Sequence, residues 1–322
     1  MSPFAKPTVF ASKCLGFEAC RWNGVTINDE TVNRLKPHVN FITCCPEKDL
    51  GLGVPRKPVR LIRTDDRTDL FQPDTGKTLT TEMNRYTKQT LDSLPEVDGF
   101  ILKHRSPSCG AHDVKLYAGK QGKSSVGRTS GLFAAQIIER WGAMAVEDEG
   151  RLKNFKIRER FLVKLFALAD FRRVRNKGRV SGLIDFQARN KLLLMACNQQ
   201  EQTRLGRIVA NPQKADFPNL AAQYEQRLIL ALRTGPKIGT SINVLMHAFG
   251  YFKRDLKPNE KALFLDLLQS YRDRKVPLSA LSSVILAWIE RFDQDYLRRQ
   301  TFFNPFPKDL LDIQDSGAGR DY

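Results

Sequence analysis

The sequence predicts an α/β domain, built on a mostly parallel sheet with flanking helices, followed by an all-helical C-terminal domain. Two patterns favour this fold class. Over the first 150 residues, short apolar runs rich in β-branched and aromatic side chains alternate with segments of helical spacing, which is typical of βαβ units. From about residue 151 onwards, apolar residues recur every three or four positions, without the alternation typical of strands.

The N-terminal elements follow from the positions of these runs. Strands are predicted over residues 9–12, 39–44, 59–62, 97–103 and 143–147, because strands of a parallel sheet are buried on both faces and read as apolar runs. Helices are predicted over residues 29–36, 80–94 and 131–141, where apolar residues interrupt polar ones at helical spacing. Strands separated by helices are expected to run parallel.

The C-terminal half reads as roughly five to seven helices, counted from its periodic apolar runs. Phe161, Leu165 and Leu168, for example, share one helical face. The predicted domains are residues 1–150, a helical connector at 151–180 with a basic linker at 172–179, a helical domain at 181–312, and a frayed tail at 313–322.

Charge is distributed unevenly along the chain. The sequence holds 52 basic and 35 acidic residues, for a net charge of +17. Residues 151–322 contribute 31 of the basic and 17 of the acidic residues, whereas the first 150 residues are nearly balanced. The helical half therefore suits a polyanionic partner, either RNA or a phosphorylated molecule, and the alternative is a solvated basic surface.

The composition also argues against several classes of protein. No apolar run approaches the ~20 residues of a membrane-spanning helix, and the N-terminus lacks the apolar stretch of a secretory signal. Six cysteines in 322 residues are too few for a disulfide scaffold. We therefore expect a cytoplasmic protein with reduced thiols, which are either buried or bind a metal.

Three of the cysteines follow predicted strands. Cys14, Cys45 and Cys109 come after the first, second and fourth strands. Because parallel strands end at one edge of a sheet, where open α/β folds bind ligands, these thiols are expected to converge. Their spacing matches neither paired zinc ligands nor a compact ferredoxin run, whereas three soft donors suit an iron–sulfur cubane with one open iron. The alternative for each cysteine is a small buried hydrophobe.

Three sequence blocks surround these cysteines. The first joins Cys-Leu-Gly at residues 14–16 to Cys-Arg-Trp-Asn-Gly at 20–24. The second is Cys-Pro-Glu at 45–47, followed by Gly-Leu-Gly-Val-Pro-Arg-Lys-Pro at 51–58, and the third is Leu-Lys-His-Arg-Ser-Pro-Ser-Cys-Gly at 102–110. Over about residues 8–150 the chain thereby resembles the thiouracil desulfidase family (TudS type). It departs from the family pattern by one missing residue between Leu15 and Gly16 and by Trp22 in place of tyrosine.

This resemblance implies an activity and a site. It implies a [4Fe-4S] cluster on Cys14, Cys45 and Cys109, with Glu47 and Ser106 beside the open iron as catalytic residues. The family removes sulfur without net redox change from thiolated uracil (4-thiouracil, or a nucleoside or nucleotide form such as 4-thio-UMP) and releases sulfide. Glu47 is then expected to deprotonate an attacking water, and Ser106 to donate a hydrogen bond or relay a proton.

Four further residues are predicted to contact the substrate: Ser108, Ser124, Ser125 and Arg56. The middle two belong to a small polar segment, residues 124–130, that reads as a loop leading into a helix, where backbone N–H groups bind anions. Cys20 and Cys44 match no cluster ligand of the family and are expected to be structural.

The helical half, from about residue 181 to 311, resembles YbgA-type domains through residues 185–196, 205–211, 247–253 and 303–307. Its basic side chains are expected to contact phosphates if they share one face, and to form helix–helix ion pairs otherwise; the candidates are Arg189, Lys191, Arg204 and Arg207. Three alternatives to a desulfidase stay open at this point, namely an RNA-binding module, an iron–sulfur redox or iron sensor, and a zinc protein.

Overall fold

The computed structural model describes residues 4–210 and 214–312. Its N-terminal part contains, in chain order, β1 (Thr8–Ser12), α1 (Glu30–Leu35), β2 (Asn40–Cys44), β3 (Arg60–Thr64), β4 (Arg67–Gln72), β5 (Lys77–Thr78), α2 (Thr80–Asp92), β6 (Gly99–Leu102), β7 (Val114–Ala118), β8 (Ser125–Thr129), α3 (Leu132–Trp141) and β9 (Ala145–Asp148). The predicted α/β class, with a helical region after it, is confirmed.

The first sheet contains four parallel strands in the order β2-β1-β6-β9. Phe10, Phe100 and Leu102 on one face share a buried core with Phe133 and Ile137 of α3. All four strands were predicted from their apolar runs, and each begins and ends within two residues of the predicted bounds. This sheet places the candidate site, because its carboxyl edge holds the predicted cysteines.

The second sheet is mixed and has the order β5-β4-β3-β7-β8. β3 pairs antiparallel with β4 and parallel with β7, and β7 pairs antiparallel with β8. Of these strands, the sequence pattern predicted β3 alone. The prediction of a loop over residues 124–130 is wrong, because residues 125–129 form β8, and only Ser130 and the N-cap Gly131 separate this strand from α3.

The chain divides by packing into two compact units, residues 1–169 with 307–322 and residues 170–306. The division falls inside α4 (Phe155–Asn176). Residues 172–176, expected in a basic linker, instead continue this helix, and only residues 177–179 separate it from the next one. The tail predicted to be frayed, residues 313–322, lies outside the described residues.

In the described part of the chain, seven α-helices follow α4: α5 (Val180–Cys197), α6 (Gln199–Ala210), α7 (Phe217–Ala231), α8 (Ile238–Gly250), α9 (Pro258–Arg272), α10 (Leu278–Arg291) and α11 (Asp295–Arg298). α5 packs against α6, α7 and α8, and its Phe186 meets Phe171 and Tyr224 in an aromatic cluster. With α4, the described residues after 151 form eight α-helices, one more than the predicted five to seven. The additional helix is α11, whose four residues are too few to show a helical repeat of apolar residues. No helix in the described part of the chain is long and apolar enough to cross a membrane.

Candidate functional site

The three strand-end cysteines open onto one pocket of about 200 Å³, which Glu47 and Ser106 also line. Cys14 lies two residues after β1, Cys45 directly follows β2, and Cys109 lies in the turn after β6. Because β2, β1 and β6 are parallel neighbours, these positions share the carboxyl edge of the sheet. The cysteines are nearly buried, with 8, 8 and 7% of their surface exposed. The structure thus brings together all five residues that the resemblance implied for ligands and catalysis.

Two further cysteines, expected only to be structural, also line the pocket. Cys20 is fully buried in a cluster with Cys14 and Cys45. A hydrogen bond with Cys14 raises the pKa of Cys20 to about 11, and burial raises the pKa of Cys44 to about 12. Burial also holds the pKa of Cys109 well above its usual value. Five thiols therefore surround one space, and packing alone does not single out three of them.

The three strand-end thiols are candidate metal ligands by their chemistry. Within residues 4–210 and 214–312, no three Cys, His, Asp or Glu side chains are arranged to hold a metal ion. The thiols reach the pocket from three separate segments, and soft thiolate donors are the ligands that iron–sulfur clusters take. Such binding displaces the thiol protons, because the thiolate is the metal ligand.

Glu47 is held in the pocket wall by two side chains. Its Oε1 accepts a hydrogen bond from Ser108 Oγ at 2.9 Å, and its Oε2 accepts one from Arg56 Nε at 2.9 Å. The Arg56 side chain is 4% exposed, and its Nη1 donates to the carbonyl oxygens of Cys20 and Gly53. Arg56 and Ser108, which the sequence offered as substrate contacts, are therefore engaged in fixing the Glu47 carboxylate.

Ser106 shapes the turn that carries Cys109. Its Oγ accepts hydrogen bonds from the backbone N–H groups of Cys109, at 3.1 Å, and Ser108, at 3.3 Å. The turn packs on the first residues of α3, where a Cβ at Gly131 would lie 2.5 Å from the Ser108 carbonyl oxygen. A hydroxyl has one proton, which neither accepted bond uses, so Ser106 can still donate it into the pocket. Ser108 already donates its proton to Glu47.

Ser124 and Ser125 are not brought to this pocket. Ser125 begins β8, and its Oγ donates to the carbonyl oxygens of Leu116 and Gly127. Neither serine is among the described residues that line the pocket. Ser125 therefore contributes to the second sheet rather than to the cysteine-lined space, and Ser124 directly precedes Ser125.

Other residues that line the pocket were not among the predicted site residues. Lys103 forms an ion pair with Glu149, and Lys13 forms one with Glu18 at 2.7 Å. His104 and Arg105 belong to the third sequence block, which is the only signal that could have pointed to them. Trp22, noted only as a departure from the family pattern, lines the pocket and is 47% exposed.

Two of the four basic residues proposed as phosphate contacts in the helical half are engaged in ion pairs. Arg189 pairs with Asp170 and, at 3.0 Å, with Asp185, and Arg204 pairs with Glu201. The alternative of helix–helix ion pairs therefore holds for Arg189, which joins α5 to Asp170 of α4, whereas Arg204 and Glu201 pair within α6. No comparison described below points to RNA as a partner.

The fold and the pocket define a class: an α/β protein with a thiol-lined site at the carboxyl edge of a parallel sheet, followed by a helical domain. The sequence model of the 2-thiouracil desulfurase family matches residues 9–149, and the model described as a protein of unknown function, DUF1722, matches residues 191–307. The chain belongs to the family of YbgA-like proteins and carries, ahead of that domain, a 2-thiouracil desulfurase domain. Both predicted resemblances are confirmed.

Individual relatives match one half of the chain each. YbgA of Escherichia coli (strain K12) is 30% identical over 159 residues, covering 49% of this chain and 94% of that protein. YbbK of Bacillus subtilis (strain 168) is 28% identical over 159 residues, covering 44% of this chain and 96% of that protein. Among solved structures, the [4Fe-4S]-dependent thiouracil desulfidase TudS is 23% identical, with a TM-score of 0.35, over 46% of this chain and 93% of that one.

Proposed function

We propose that this chain is a hydrolase that removes sulfur from thiolated uracil, either 4-thiouracil or a nucleoside or nucleotide form such as 4-thio-UMP. The observation that supports this proposal is that one pocket is lined by Cys14, Cys45, Cys109, Glu47 and Ser106. That pocket lies inside the region that matches the 2-thiouracil desulfurase family. The proposed reaction exchanges no electrons: the thiocarbonyl compound and water give the carbonyl compound and hydrogen sulfide.

The three strand-end thiols would hold a [4Fe-4S] cluster as its protein ligands. When bound, the cluster would supply a Lewis-acidic iron with affinity for the thiocarbonyl sulfur. A hydrogen bond with Cys20 and burial raise the pKa of Cys45, and the charge of Arg56, whose Nη2 lies 4.0 Å from Cys45 Sγ, opposes that rise. All six cysteines are free in the structure, and such thiols persist in a reducing compartment, so we also propose a cytoplasmic location.

Glu47 is the proposed base. Its carboxylate takes a proton from a water that attacks the carbon bearing sulfur. Arg56 and Ser108 hold both carboxylate oxygens in place, which restricts where this water can be bound. Ser106 is the proposed hydrogen-bond donor to the substrate ring, because its hydroxyl proton is not used by the two backbone bonds that it accepts.

The entrance of the pocket favours a nucleotide over a free base. Arg21 and Arg105 line the pocket, and neither side chain has an ion-pair or hydrogen-bond partner among the described residues. Arg56 and Lys103, by contrast, are paired with carboxylates. An unpaired guanidinium matches a phosphate, and the exposed Trp22 offers a surface on which a base or ribose can stack.

Replacing both Arg21 and Arg105 by alanine should raise the KM for 4-thio-UMP about 10-fold, since each loses a charge-assisted hydrogen bond to phosphate. The KM for 4-thiouracil should stay the same, because the free base has no phosphate. Lys57→Ala is the matched control, since Lys57 is 68% exposed and pairs with Asp74 outside the pocket. Equal changes in the KM for 4-thiouracil and for 4-thio-UMP would show that the two arginines do not bind a phosphate.

The proposed activity itself is tested by incubating the anaerobic, cluster-loaded protein with 4-thiouracil and with 4-thio-UMP and measuring released sulfide. Sulfide from either compound, with one uracil product per sulfide, supports the proposal. No sulfide from either compound contradicts it. Salt-sensitive RNA binding that survives replacement of all three cysteines would indicate an RNA-binding module instead, and a reversible redox transition unaffected by thiolated substrate would indicate a sensor.

A further inference from the structure

The proposed hydrolysis moves two protons from the water oxygen to sulfur, and Glu47 can hold only one of them at a time. Both protons of the attacking water leave its oxygen and end on the released hydrogen sulfide. Glu47 accepts one proton at a time, and both of its oxygens are already hydrogen-bonded, to Ser108 and Arg56. A second group that can take and return a proton is therefore expected in the same pocket.

His104 and Asp148 lie at neighbouring strand ends beside that pocket. β6 and β9 are parallel partners, with Leu102 opposite Asp148, so the residues just past β6 meet the end of β9. His104 lines the cysteine pocket, and its Nδ1 lies 3.0 Å from Asp148 Oδ1. The side chain of Asp148 is completely buried, whereas 23% of the His104 side chain is exposed.

The surroundings hold this pair in one arrangement. The backbone N–H of His104 donates to Glu149 Oε2 at 2.6 Å, and Lys103 Nζ donates to the His104 carbonyl oxygen at 2.9 Å. A Cβ at position 150 would lie 2.8 Å from His104 Cγ, so Gly150 is what allows the imidazole ring to lie against the backbone. Asp148 Oδ1 also accepts the N–H of Arg151 at 2.9 Å.

The Asp148 carboxylate is placed to stabilise positive charge that forms on the His104 ring. Asp148 Oδ2 is buried, and neither it nor His104 Nδ1 has a hydrogen-bond partner among the described residues, so the two side chains meet in an ion-pair contact at 3.0 Å. Because Nδ1 is the ring nitrogen within 3.0 Å of the carboxylate, the neutral ring favours a proton on Nδ1 and leaves Nε2 as the accepting nitrogen. A proton accepted at Nε2 makes the ring positive, which the buried carboxylate stabilises.

We propose that His104, oriented by Asp148, is a second proton-transferring residue of this site. It takes the remaining proton of the attacking water, after Glu47 has taken the first, and returns it to the leaving sulfide. This assignment rests on the proposed hydrolysis, and it gives Asp148 a positioning role. The proton balance closes, since two protons leave the water oxygen and two arrive on sulfur.

His104→Gln should lower kcat for sulfide release about 100-fold, because general acid–base catalysis contributes roughly 10²–10⁴-fold. Asp148→Asn should lower kcat about 10-fold or more, since it removes the charge that orients and stabilises the ring. The KM and the iron content per chain should stay within about twofold of wild type in both variants. His38→Gln is the matched control, because His38 also pairs with an aspartate, Asp309 at 2.6 Å, and does not line the pocket.

A second measurement is independent of turnover. The chain has only four histidines, so nitrogen-15 NMR of the imidazole rings can resolve His104. The Nδ1-protonated tautomer should dominate in the wild-type protein and lose its preference in Asp148→Asn. An unchanged kcat in His104→Gln, loss of iron together with activity, or a tautomer insensitive to Asp148→Asn would each overturn the proposal. Absence of sulfide release by the wild-type protein would instead refute the hydrolysis on which it rests.

Discussion

Serine in place of Cys14, Cys45 or Cys109, one at a time, should lower the iron bound per chain at least about 10-fold, which is the lower end of the cost of losing even a supporting residue of a metal site. Each replacement removes one of three soft donors that reach the pocket from separate strand ends. The remaining two thiolates would hold a cluster too weakly to survive desalting. The measurement is iron and acid-labile sulfide per chain after anaerobic reconstitution.

Cys20→Ser and Cys44→Ser are the controls within the same pocket, and Cys197→Ser is the control in the helical unit, where Cys197 is buried in α5. All three should keep the wild-type iron content. The contact of Cys20 with Cys14 and Cys45 makes it the informative case. If Cys20→Ser loses iron as fully as Cys14→Ser, four thiolates hold the cluster, no iron is left open for a thiocarbonyl sulfur, and the proposed hydrolysis fails.

The parallel sheet could be predicted because its strands carry apolar and β-branched side chains: β6 is fully buried, and β2 is partly buried. Residues 39–44 and 97–103 are runs of apolar and β-branched side chains, and they became β2 and β6. β7 and β8 could not be predicted in this way. β8 is Ser-Val-Gly-Arg-Thr, a short polar segment containing glycine, and its strand conformation comes from pairing with β7.

The prediction of a linker before α5 was wrong, because it relied on the charge of the segment and not on its helix propensity. Residues 172–179 read as a linker because they are basic, yet Arg and Lys favour helices, and α4 runs to Asn176. Two tertiary or local ion pairs compensate the charge there: Arg173 with Asp170 at 2.7 Å, and Arg175 with Glu225 at 2.9 Å. A local pattern shows the charge of a segment but not the partners that neutralise it.

The same distinction applies to the candidate site, where some contacts follow from the sequence and others only from the fold. The convergence of the three cysteines could be predicted, since parallel strands share an edge and each cysteine follows a strand. The pairing of Arg56 with Glu47 could not, because it depends on the path of the loop between them. The contact of His104 with Asp148 joins positions 44 residues apart and follows only from the pairing of β6 with β9.

Glu47→Gln should lower kcat for sulfide release by about 10²–10⁴-fold while the iron content stays unchanged. Glutamine keeps the shape and one accepting oxygen, which can face Arg56 while its NH2 group donates to the Ser108 hydroxyl, but the amide cannot take a proton from water. The loss should therefore fall on kcat rather than KM, which is the mark of an interaction made in the transition state. Single-turnover measurement of uracil formation under anaerobic conditions checks this.

Arg56→Lys separates the orientation of Glu47 from its basicity. Lysine keeps the positive charge, but its three donors share one nitrogen, whereas Arg56 uses Nε for Glu47 and Nη1 for the carbonyl oxygens of Cys20 and Gly53. We expect kcat to fall about 10-fold, less than in Glu47→Gln. Glu18→Gln is the control, since Glu18 pairs with Lys13 and does not line the pocket.

If Glu47→Gln retains kcat within about twofold, another group activates the water, and the fixed carboxylate serves only to hold Arg56 beside Cys45.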